Sequence, residues 1–266
     1  MTHKIYHIDA FTNQVFCGNS ACVIMLEEGL RSEIMLKIAA ENAVAETAFV
    51  LFDKSINKLS LRWFTPDLEM DLCGHATLAA AYVIFNDYPH LADDSTVRFH
   101  TVGDIIEVNY KDNILCLHFP LREGIRATLP DNIFNSLNIK PQEVYLSRDY
   151  HLVYRSQNEI ESIVVNREEF DKINLGTGGV AVSAPGDTCD FVSRFFTPQS
   201  TILEDPVTGS AHCTLAPYWG RKLNKNTLMA KQISSRGGDL LCQVYTNKVL
   251  ISGSAVCYMK GEININ

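Results

Sequence analysis

Arg62-Trp63-Phe64-Thr65-Pro66 recurs about half a chain length later as Arg194-Phe195-Phe196-Thr197-Pro198. The echo continues downstream, where Gly74-His75-Ala76-Thr77-Leu78-Ala79 is answered by Gly209-Ser210-Ala211-His212-Cys213-Thr214-Leu215-Ala216. A repeat of this period is too long for a solenoid and implies two similar domains of ordinary size around an approximate twofold axis. Such an axis sets equivalent loops opposite each other across a cleft, where small-molecule sites form, so residues near Gly74 and Gly209 are the first candidates. The alternative is a duplicated scaffold with no shared site.

Composition narrows the function classes. With 266 residues and 46% hydrophobic content the chain can bury two cores. The formal net charge is −8 and Lys and Arg form no run, which removes the attraction that nucleic-acid binding depends on. The longest strongly apolar stretch, Ala76 to Phe85, is far short of the roughly 20 residues that cross a bilayer. Met1 to Asp9 alternates like a strand and lacks the apolar core of a signal peptide, so a soluble, cytoplasmic protein is expected. The 8 cysteines, at 17, 22, 73, 116, 189, 213, 242 and 257, form no C-x-x-C pair and are expected to be reduced and mostly packed in the core. Cys73-Gly74-His75 with His212-Cys213 makes no convincing zinc set, and neither metal nor cofactor is predicted.

Alternation and β-branched or aromatic content predict strands at about 3–9, 20–26, 47–52, 58–64, 104–110 and 114–119. Two helices interrupt them, from Ser32 to about Asn42 and from Gly74 to about Phe85. The second is apolar nearly all round and must be enclosed, so the sheet of each domain is expected to curl around such a helix. After Pro120-Leu121-Arg122-Glu123-Gly124 the pattern restarts, giving a first domain of residues 1–123 and a second of 124–266, with the last strand packing back on the first. In the second, Pro130 to Leu137 reads as a helix, Gly209 to about Trp219 as the second central helix that Pro217 bends or ends, and Leu240 to Tyr245 with Val249 to Ser252 as a hairpin. Gly176-Thr177-Gly178-Gly179 is not G-x-G-x-x-G and reads as a turn or bulge.

Each central helix begins with Gly followed by a small or polar residue, which leaves free N–H groups and the positive end of the helix dipole pointing outward. Two such ends facing one cleft bind a carboxylate and can stabilise an enolate-like charge once a proton leaves the neighbouring carbon. Otherwise the glycines only permit tight turns. Proton transfer needs an acid or base, and Glu46 lies among Ala43, Val44, Ala45, Ala48 and Phe49, where burial should raise its pKa toward neutrality. The plainer reading is a glutamate bonded to backbone amides. His75 and Asp205 add two more ionisable groups, although His75 also suits a helix cap and Asp205-Pro206 a turn.

Asp9-Ala10-Phe11 with Phe16-Cys17-Gly18-Asn19, Ala45-Glu46-Thr47-Ala48, Leu72-Cys73-Gly74-His75-Ala76-Thr77, and Glu204-Asp205-Pro206-Val207-Thr208-Gly209-Ser210-Ala211 resemble the PhzF family of phenazine-biosynthesis-like proteins nearly end to end. The resemblance implies an α+β, diaminopimelate epimerase-like fold of two pseudo-symmetric domains, each a curled, mostly antiparallel or mixed sheet around a central helix. It also implies an isomerase without cofactor, in which Glu46 shuttles a proton between carbons of a small carboxylated substrate in the interdomain cleft. His75, Asp205 and Ser210 match the family's other catalytic positions, and Gly74, Gly209, Asn19 and Thr208 are the substrate-binding positions it implies. The substrate carboxylate would rest on the backbone at Gly74-His75 and Gly209-Ser210. A homodimer is the family expectation, also from the frequency of twofold dimers.

Related racemases and epimerases carry a cysteine at each central-helix start, whereas here Cys73 has no thiol partner before Gly209. A two-thiol mechanism lacks half its machinery. Cys73 then packs beside the site or works with Asp205. Three functions therefore compete: a Glu46-dependent isomerase, which is the reading preferred, a Cys73-dependent amino-acid epimerase, and a small-molecule-binding homologue without turnover.

Overall fold

The helix Gly74–Asp87 has no polar face over its first two turns: Gly74 through Ala81, with Val83 and Ile84, are all buried. In the computed structural model, which describes residues 1–265, a sheet supplies the enclosure such a helix requires. The chain divides into two units, Met1–His118 together with the residues from Ser252 onward, and Phe119–Ile251. In the first unit Ala255–Asn264 pairs antiparallel with Thr2–Ala10, which pairs antiparallel with Asn19–Leu26. The order continues with Glu46–Asp53 (parallel), Lys58–Phe64 (antiparallel), Thr96–His100 (parallel), Ile105–Lys111 (antiparallel) and Ile114–Pro120 (antiparallel).

The second unit repeats this alternation. Glu143–Leu146 pairs antiparallel with Tyr150–Val153, which runs parallel to Val180–Pro185. Phe191–Phe196 follows antiparallel, Thr227–Gln232 parallel and Gly238–Val244 antiparallel. Both units are mixed sheets with few helices, the α+β class that the family resemblance implies. Among the described residues no helix is long and apolar enough to cross a membrane.

The repeated pentapeptide has the same task in each unit. Arg62 grips Glu69 with two hydrogen bonds of 2.7 Å, and Arg194 grips Glu204 with bonds of 2.7 and 2.8 Å. Each guanidinium also lies over the phenylalanine two residues on, 5.2 Å from the Phe64 ring and 4.9 Å from the Phe196 ring. The Thr N–H closes the turn in both, to Leu68 and Leu203 carbonyls at 2.9 Å. The fork therefore fixes a hairpin whose second limb, Glu69–Met70 or Glu204–Asp205, leads into the central helix.

Three local expectations change. Thr96–His100 is an additional strand, although its buried Val97 and Phe99 alternate as a strand should. Gly209–Ala211 forms a 3-10 turn and the α-helix proper runs His212–Leu223, straight through Pro217. Proline cannot donate to the Cys213 carbonyl four residues back, but the Arg122 N–H occupies that carbonyl at 3.1 Å, so the helix continues without an orphaned acceptor. Asn224 in the left-handed region ends it. The segment Pro130 to Leu137 contains the helix Asp131–Ser136, one residue short at each end.

Two buried histidines mark the second unit. His212 donates from Nδ1 to the Thr208 carbonyl at 2.9 Å, and His151 pairs through Nε2 with Ser183 Oγ at 2.7 Å between the rings of Tyr145 and Tyr218. Burial opposes protonation of both, holding His151 at a pKa of about 3 and His212 at about 4. Both values lie below that of an unfolded histidine, so the stability they contribute is complete above pH about 6.5 and is lost as pH falls toward the folded values. Between pH 7 and pH 5 each should lose about 2 kcal/mol. Chemical denaturation of wild type and His212→Gln at both pH values checks this: the wild-type advantage should shrink by about that amount at pH 5, and a constant difference would contradict it.

Candidate active site

In the first unit four residues from three segments converge. Asp9 is buried and accepts from Phe16 N–H at 2.9 Å and Ser20 Oγ at 2.6 Å, which ties down the loop after the first strand. Gly18 has φ +66°, and a Cβ there would sit 2.2 Å from the Ala10 carbonyl oxygen, so only glycine allows the loop to return this tightly. The return sets Asn19, fully buried, against the central helix, where its Nδ2 lies 3.0 Å from His75 Nδ1. Parallel pairing of Ala21 with Glu46 then brings the first residue of the next strand alongside. Glu46 Oε2 lies 3.1 Å from His75 Nε2. Cys73, immediately before the helix, places Sγ 3.6 Å from His75 Nδ1.

Burial works against a charged His75, yet its neighbours Cys73 and Glu46 outweigh burial and hold the imidazole pKa well above the ordinary histidine value. Desolvation pushes the Cys73 thiol up to about 11, so it is uncharged at neutral pH and the Glu46 carboxylate is the partner that retains the proton on His75. The Asn19 amide can serve either state, offering Nδ2 to a bare Nδ1 or Oδ1 to a protonated one. His75 is 2% exposed and Glu46 12%, so the carboxylate is the member of the pair that another molecule reaches first.

Glu46, Cys73 and His75 also bring potential ligand atoms within 4.8 Å of one another. The nearest ring nitrogens differ, however: the thiol is closest to Nδ1, which Asn19 also approaches, and the carboxylate pairs with Nε2. A metal ion takes a single ring nitrogen, so the arrangement suits a proton relay better than a common metal centre.

In the second unit Asp205 and Thr208 flank a turn before the second central helix. Thr208 Oγ1 donates to Asp205 Oδ2, the Thr208 N–H donates to Gln232 Oε1 at 2.8 Å, and Gln232 Nε2 returns to the Asp205 carbonyl at 2.7 Å. Buried Gln232 thus clamps both ends of the turn, a role with no local signal in the sequence because it sits at the end of a strand 24 residues past Thr208. Gly209 and Ser210 open the 3-10 turn that follows, both buried, and Ser210 Oγ accepts from Arg148 Nη2 at 3.0 Å. The residues anticipated from sequence therefore form two clusters: Asn19, Glu46, Gly74 and His75 in the first unit, and Asp205, Thr208, Gly209 and Ser210 in the second. Gln232 and Arg148 are additional.

Comparison with known proteins identifies the family and the fold. The family model described as phenazine biosynthesis-like protein matches residues 8–261. A Pseudomonas aeruginosa protein described as an uncharacterized isomerase is 40% identical over 268 residues, covering 100% of both chains. The crystal structure of a PhzF-family phenazine biosynthesis protein from Enterococcus faecalis superposes with a TM-score of 0.91 at 42% identity, again over 100% of each chain. A hydroxyproline epimerase from Agrobacterium vitis shares the fold at 9% identity, with a TM-score of 0.67 over 98% of this chain and 92% of its own.

The raised Cys73 pKa carries a direct consequence. At pH 8 about one Cys73 thiol in a thousand is ionised. Iodoacetamide labelling followed by peptide mapping should find Cys73 modified at least about 100-fold more slowly than the half-buried Cys17; comparable rates would show a thiolate at the helix start.

Proposed function

The chain belongs to the phenazine biosynthesis-like family, and from that membership and the Glu46–His75 pair we propose a cofactor-independent isomerase that moves a proton between carbons of a small carboxylated substrate. The observation that carries the reading is the carboxylate at 3.1 Å from a buried imidazole, with the carboxylate the more exposed of the two. Glu46 takes the substrate proton and returns it at a second carbon. His75 behind it, fixed by Asn19, holds the Glu46 carboxylate in place before the first transfer and after the second, and between them Glu46 is the neutral acid that carries the proton. In the first unit the N–H groups at Gly74-His75 are the proposed donors to a substrate carboxylate, and in the second unit the N–H groups at Gly209-Ser210, with Asp205 and Thr208, are the proposed polar contacts to substrate.

Two facts favour Glu46 over Cys73 as the base: the thiol is buried with its pKa pushed up to about 11, and the residue before Gly209, the counterpart of Cys73, is Thr208. The test is deuterium entry at carbon in deuterated water, followed by NMR, with a panel of small cyclic and acyclic amino acids that includes dihydro-hydroxyanthranilate. Glu46→Gln should lower exchange at least about 100-fold, while Cys73→Ser keeps most of it. The reverse pattern supports the Cys73-dependent epimerase, and binding without exchange in every variant supports a homologue without turnover.

A further inference from the structure

Arg148 stands in the three-residue loop between the strands Glu143–Leu146 and Tyr150–Val153, yet its side chain is largely buried. Nε and Nη2 reach the Asp149 carboxylate at 3.2 Å each, and Nη2 also donates to Ser210 Oγ at 3.0 Å. Asp149, itself buried, accepts the Gly179 N–H at 3.0 Å. The glycines of the Gly176–Gly179 run make this close approach feasible. A Cβ at Gly178 would stand 2.7 Å from the Arg148 carbonyl oxygen, and one at Gly179 would stand 2.5 Å from the Phe195 ring and 2.7 Å from the Phe196 carbonyl oxygen. The glycine-rich turn thus seats Asp149, Asp149 orients Arg148, and Arg148 reaches Ser210.

A guanidinium only donates, so it occupies an acceptor lone pair of Ser210 Oγ and the hydroxyl proton must be given elsewhere. Among the described residues no acceptor takes that proton. Resting on the reading that Ser210 touches the substrate, we propose that Arg148 is a positioning residue that makes Ser210 an obligate hydrogen-bond donor to an anionic oxygen of the substrate. The guanidinium also polarises the hydroxyl, which strengthens the bond it gives. The Gly178-Gly179 turn belongs to the site through this chain of contacts.

The probe is anthranilate, a planar aromatic carboxylate, titrated calorimetrically into wild type, Arg148→Met, Arg148→Lys, Ser210→Ala and the double variant Arg148→Met/Ser210→Ala, with melting temperatures recorded. Arg148→Met and Ser210→Ala should each weaken binding about ten-fold, and the double variant should bind no more than about two-fold worse than Ser210→Ala alone. Arg148→Lys, which retains a charged donor without the fork, should fall between wild type and Arg148→Met, and it carries the test if Arg148→Met fails to fold. Equal losses from Arg148→Met in both backgrounds would mean general charge or structural support and would overturn the proposal, as would wild type that does not bind anthranilate. Deuterium exchange that persists in Glu46→Gln would instead sink the proton-shuttle reading, a result independent of the Arg148–Ser210 coupling.

Discussion

Enclosing a helix that is buried on every face is the constraint from which the rest of the first unit follows. Every residue from Gly74 to Ala81 is buried, with His75 and Thr77 the polar ones, so strands must surround the helix. Surrounding it places strand ends and loops around its N-terminus. There the backbone has N–H groups without helical partners, and there the sequence concentrates its polar side chains. Asn19 at the start of one strand and Glu46 at the start of the next meet His75 because those strands run parallel and in register, Ala21 beside Glu46. An apolar core thereby fixes the geometry of a polar cluster.

That cluster sits where isolated charge is costly. A partly buried carboxylate and a buried imidazole are tolerated because each compensates the other and Asn19 satisfies the remaining ring nitrogen. Neutral Cys73 adds no competing charge. The second unit uses the same scaffold with different chemistry: the Arg–Glu fork, the phenylalanine beneath it and the closing Thr N–H are all kept. In the hairpin register Phe195 opposes Asp205 where Trp63 opposes Met70, so an ionisable group stands where the first unit has an apolar one. Thr208 replaces Cys73 and Ser210 replaces His75 around the same glycine. Duplication preserved the delivery of the chain to the helix start and left the groups displayed there free to diverge.

Much of this was legible in the sequence because it is local or periodic. The pentapeptide repeat, the all-apolar stretch after Gly74 and the alternating strands announce the duplicated fold. Glu46 stands out as a charge in an apolar run, and the structure sets it against His75, 29 positions away. Long-range supports were not legible. Gln232 and Arg148 look like ordinary strand and loop residues, and only folding brings them to Thr208 and Ser210. Pro217 misled for the same reason: a proline predicts a helix end unless some distant N–H fills the carbonyl it leaves, and Arg122 does so.

The central claim is that Glu46 and His75 form one proton-holding pair, and it can be tested without knowing the substrate. Titration of the His75 imidazole by NMR, in wild type and in Glu46→Gln, measures the coupling directly. The pair predicts that His75 in wild type titrates well above the ordinary histidine range and that in Glu46→Gln, where burial remains but the carboxylate does not, its pKa falls. An unchanged titration in the two proteins would contradict the account.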